Sequence, residues 1–140
     1  MGFKFNNTAR KALERYLSSG DYRWDWREFE AVLGGGGYVK ATVSGPAAIG
    51  RTKGSQQVYR FSAEKVGAKE EMLAFITKVG FLTLTPHMPH GKRSTMASID
   101  VERLVDALVL INFALPEEEK LDELRDEELL SSTTMERIRR

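Results

Sequence analysis

Four cations set in polar, small-residue stretches are the groups of this chain best suited to chemistry. Arg51 and Lys53 lie within Gly45-Pro46-Ala47-Ala48-Ile49-Gly50-Arg51-Thr52-Lys53-Gly54-Ser55-Gln56, and Lys92 and Arg93 lie in the stretch from Pro86 to Ser98. Flexible cations flanked by Gly, Ser and Thr suit phosphate oxygens, and such contacts position a nucleic acid without reading its sequence. Lys40 and Arg60, expected on the outer face of a small sheet, extend the set, with Tyr38 available for base stacking. The expected chemistry is therefore binding of nucleic acid or a nucleoprotein complex. It requires two loops some 40 residues apart to meet.

Other constellations fit less well. Gly45 to Thr52 nearly spells a phosphate-cradling P-loop, but Arg51 replaces the required Lys and a strand pattern, not a helix, follows. His87 and His90 are the only histidines, and Pro86 and Pro89 oppose the helix that would aim both rings at one metal. The chain has no cysteine, which excludes disulfides, zinc–thiolate sites and thiol nucleophiles. No Gly-x-Ser-x-Gly elbow is present. Asp21, Asp25, Glu28 and Glu30 cluster beside Trp24 and Trp26, where helix capping accounts for Asp25 and Glu28 more simply than acid–base catalysis. No metal, cofactor or catalytic residue is expected.

The elements that must carry these residues follow from periodicity. Ala9, Ala12, Leu13, Tyr16 and Leu17 form a helical stripe, opened by Asn7 or Thr8 and closed by Gly20. A second helix is expected from about Trp24 to Leu33, stopped by Gly34-Gly35-Gly36-Gly37, which reads as a loose link. Residues 38–44 and 57–63 alternate as strands, with Val39, Ala41 and Val43 inward in the first and Tyr59 and Phe61 on one face in the second. Residues 67–79 predict a helix and 81–85 a third strand; Phe3-Lys4-Phe5 is a candidate edge strand. The strongest helix begins at Ser98 or Asp100 and carries Val101, Leu104, Val105, Leu108, Ile111, Asn112 and Leu115. A charged helix over residues 117–130 follows, with a thin stripe at Leu121, Leu124 and Leu129/Leu130, and residues 131–140 read as a frayed basic tail.

The expectation is one α+β domain over residues 1–130, with about five helices on a small, mainly antiparallel sheet, in the order (β)ααββαβαα. Leu108, Ile111, Leu115, Leu121 and Leu124 are the expected partner interface, pairing the C-terminal helices with a second copy. The net charge of +1 divides unevenly: residues 1–100 hold 15 Lys/Arg and 9 Asp/Glu (+6), and residues 101–140 hold 6 and 11 (−5). A basic body suits an anionic partner. No apolar run reaches signal-peptide or membrane-span length, so a cytoplasmic protein is expected, with no membrane partner.

Phe3-Lys4-Phe5 followed by Ala9, Lys11, Leu13 and Leu17 resembles the opening strand and helix of the RelE/ParE toxin superfamily, over about fifteen residues. That resemblance implies a ribonuclease whose basic residues act on RNA, with Lys40, Arg60 and Arg93 in those roles. The leading expectation remains a non-enzymatic binding or regulatory protein. Besides the toxin-like ribonuclease, the alternative is a protein–protein inhibitor of the phage or plasmid type, using the acidic helix 117–130 to mimic nucleic-acid charge.

Overall fold

The core is built around helix α5, Ser98–Ala114, whose residues from Val101 to Asn112 are buried almost all round except Glu102 and Arg103. Such a helix cannot present one stripe to the core and another to water; it has to be wrapped. Each Leu, Ile or Val so enclosed contributes about 1.5–3 kcal/mol of hydrophobic stabilisation. The computed structural model describes residues 2–41, 56–89, 95–124 and 129–139.

Around α5 lie the elements in chain order: α1 (Asn7–Ser19), α2 (Trp26–Gly35), β1 (Tyr38–Lys40), β2 (Tyr59–Phe61), α3 (Ala63–Val66), α4 (Glu70–Lys78), β3 (Thr83–Leu84), then α5 and α6 (Ser132–Arg139). This is a small α+β fold with, among the described residues, a three-stranded antiparallel sheet in the order β1-β2-β3. The 3-10 turns Glu117–Glu119 and Asp122–Leu124 lie between α5 and α6.

The helix boundaries have identifiable chemical causes. Asn6, rather than Asn7 or Thr8, caps α1, its side-chain oxygen accepting the Ala9 N–H at 2.9 Å. Gly20 ends that helix in the left-handed region at φ 71°. The expected capping box of α2 is formed on both sides: the Glu28 N–H donates to Asp25 at 2.7 Å and the Asp25 N–H to Glu28 at 3.0 Å. Between the two helices Trp24 is fully buried and donates its indole N–H to the Ala12 carbonyl at 3.1 Å. Ala97 is the N-cap of α5 and no side chain among the described residues caps it, so Ser98 and Asp100 do not; Asp100 instead accepts the His87 N–H.

Several elements depart from expectation. Gly34 to Gly37 is no loose link: Gly34 and Gly35 complete α2, and the next two glycines pack against the core. A Cβ on Gly35 would sit 2.9 Å from the Lys4 carbonyl oxygen, one on Gly36 would run into Leu108, and one on Gly37, at φ 100°, would lie 2.9 Å from Val66. Close packing, not freedom, explains Gly35, Gly36 and Gly37, whereas a Cβ on Gly34 would meet nothing within 4 Å. The Lys4 N–H donates to Gly35 O at 3.0 Å, so Phe3-Lys4-Phe5 lies along the end of α2 and is not a strand. In β1 the pleat is opposite to that expected. Tyr38 is buried, donating its hydroxyl to Phe81 O at 2.6 Å, while Val39 is 44% exposed. The large aromatic gains more from burial than valine does. Tyr59 and Phe61 do share the inner face.

The charged helix expected over residues 117–130 is replaced, among the described residues, by the two 3-10 turns. Buried Asn112 explains this. Its side chain accepts the Leu121 N–H at 2.9 Å and donates to Leu121 O at 3.0 Å, removing both backbone groups from any helical ladder. Residues 132–139, read as a tail, form helix α6. Leu108, Ile111, Leu115 and Leu124 are buried within this chain and Leu121 is half-buried.

Candidate anion-binding surfaces

Lys40 and Arg60 are both exposed, on adjacent strands. The register opposes Lys40 to Tyr59 and Arg60 to Val39. Directly opposed residues point to the same side of a sheet and successive residues alternate. Lys40 therefore lies on the Tyr38–Tyr59 side, at the strand end, and Arg60 on the outer side with Val39. The two do not share the single outer face expected of them. Neither makes an ion pair among the described residues. Arg51, Lys53, Lys92 and Arg93, with His90 and the P-loop-like stretch, lie outside the described residues. Tyr38 is buried and unavailable for stacking; burial pushes its hydroxyl pKa far above the ordinary value.

The carboxylates near Trp24 are structural. Arg15 pairs with Glu28 at 2.8 Å and approaches Asp21 at 3.6 Å, while Arg23 pairs with Asp21 at 3.1 Å. Burial raises the Glu28 pKa, but the Arg15 guanidinium and the Asp25 amide outweigh it and hold the carboxyl below its usual value of 4.5. Glu30 accepts the Tyr59 hydroxyl at 3.1 Å. Burial first, and then Glu30, push Tyr59 up to about 12. Each of these acids is engaged: Asp21 by Arg23, Asp25 by the Glu28 amide, Glu28 by Arg15 and Glu30 by Tyr59. Among the described residues no group of three or more His, Cys, Asp or Glu side chains is arranged to hold a metal.

Two arrangements escape a reading of the chain in one dimension. The first is an open groove of 470 Å³ lined by Lys78, Val79, Gly80, Arg103 and Arg137. Lys78 ends α4, Arg103 is the only cation of α5, and Arg137 comes from α6. Arg103 lies over the Phe81 ring, 5.5 Å from its centroid, and Arg137 donates to Val79 O at 3.4 Å. A lone Arg in so apolar a helix is the one signal that pointed here. The second is buried Asp106, which accepts the Ser131 N–H (3.1 Å), the Ser131 hydroxyl (2.7 Å) and the Thr134 hydroxyl (2.8 Å). It fastens the start of α6 to α5.

No helix among the described residues is long and apolar enough to cross a membrane. Compared with known proteins, the chain matches no family model, no curated protein and no solved structure.

Proposed function

We propose that this chain is a non-enzymatic binding or regulatory protein that contacts nucleic acid, alone or within a nucleoprotein complex, through Lys40 and Arg60 on its small sheet together with Arg51, Lys53, Lys92 and Arg93. The observation that carries this reading is the exposure of Lys40 and Arg60 on adjacent strands, with neither engaged in an ion pair among the described residues. An unpaired surface cation costs little and gains most when it displaces counterions from a phosphate chain. Lys40 stands two residues before the segment 42–55, which contributes Arg51 and Lys53 from the sequence, and Lys92 and Arg93 complete the proposed set. The excess of positive charge in residues 1–100 favours the same partner.

The test is binding of labelled DNA and RNA across a salt series. The expected result is affinity that falls steeply and linearly on logarithmic axes, with the RNA left intact. Absence of salt-dependent binding removes the reading in favour of a protein partner. Cleavage of the RNA that is lost in Lys40→Ala or Arg60→Ala replaces it with a ribonuclease.

A further inference from the structure

We propose that the groove between the C-terminal end of α4, Arg103 and Arg137 is a discrete binding site for a phosphoryl group, separate from the sheet cations above. Its three cations come from positions 78, 103 and 137, so the fold, not a local run of basic residues, brings them together. Like charges gathered around one hollow repel, and no carboxylate makes an ion pair with any of them among the described residues. Glu102 and Asp106 line an adjoining hollow with Arg103 and Arg137, but Asp106 is occupied by Ser131 and Thr134. Part of the repulsion is offset by the negative end of α4. The remainder is relieved by an anion.

The groove is also prepared for one. Arg103 is braced over Phe81 and Arg137 by the Val79 carbonyl, so each loses less freedom on engaging a ligand. Gly80, exposed at φ 88°, keeps the floor open: a Cβ there would lie 3.0 Å from Arg137 Nη1. Two guanidinium forks and an ammonium match the oxygens of a tetrahedral dianion better than a planar carboxylate, which one fork satisfies. A phosphate ester of a small molecule and a phosphate of a nucleic-acid strand offer the same chemistry.

The experiment titrates the full chain with inorganic pyrophosphate at constant ionic strength, with chloride as the control, and separately with a short oligonucleotide. Saturable pyrophosphate binding, weakened about tenfold or more by Arg103→Gln with Arg137→Gln, is expected for a small phosphorylated ligand. Oligonucleotide binding weakened by the same pair, without competition by pyrophosphate, assigns the site to a strand. Lys78→Gln, at an exposed helix end, provides a second variant should the arginine pair disturb folding. Lys40→Ala with Arg60→Ala is expected to leave pyrophosphate affinity unchanged, which separates this site from the proposed sheet contact. If neither probe binds more weakly to any of these groove variants, the assignment is overturned.

Discussion

Arg15 engages two acids at once, and the consequence is a defined acid sensitivity. Glu28 has a folded-state pKa below its ordinary value, so its stabilisation is fully present above about pH 4.5 and is lost as pH falls through the depressed value. Glu28→Gln keeps an acceptor for the Asp25 N–H but removes the charge facing Arg15. Denaturant unfolding is expected to show the variant less stable than the parent at about pH 7, with the difference shrinking as pH falls below about 4.5. An undiminished gap at low pH would mean the ion pair is not its source. Gly36 tests a different term. Its φ of −85° is open to any residue, so Gly36→Ala carries no backbone strain, but the new methyl meets Leu108. Overpacking of this kind costs about 1–3 kcal/mol. A urea midpoint equal to or above the parent's would show that the glycine run tolerates side chains after all.

At the scale of elements, α6 depends on one buried carboxylate. Asp106→Ala leaves the Ser131 amide and the Ser131 and Thr134 hydroxyls without their acceptor, at about 2–4 kcal/mol for the set. Hydrogen exchange should accelerate first in α6, ahead of global unfolding. Uniform acceleration through α5 as well would show instead that α6 is not a separable element. What was legible here is what local rules govern. The spacing of Asp25 and Glu28 announced its capping box, Gly20 its helix end, and the apolar spacing of Leu104, Val105, Leu108 and Ile111 the buried helix. What was hidden depends on contacts remote in the chain. Asn112 cancels the helix expected over 117–130 by bonding Leu121, and Asp106 converts the supposed tail into α6. Tyr38 reverses the pleat of β1 because Phe81, 43 residues away, offers it an acceptor. The groove was hidden for the same reason: Arg103 stands out in an apolar helix, but position 78 has no local sign that 103 and 137 will join it.

For the molecule as a whole, the burial of Leu108, Ile111, Leu115 and Leu124 directs the C-terminal half inward. Residues 1–100 hold the net +6, and in the described part of that body Lys40 and Arg60 stand exposed and unpaired. If they meet phosphates, each contributes released counterions, and the slope of affinity against salt counts them. Lys40→Ala and Arg60→Ala alter exposed side chains, so folding should be unaffected. The most direct measurement is therefore the slope of log affinity against log salt for the parent and for each variant on one labelled oligonucleotide. The expected result is a slope shallower by about 1 in each variant and by about 2 when they are combined. A parent slope of zero, or variants whose slopes coincide with the parent's, would contradict it.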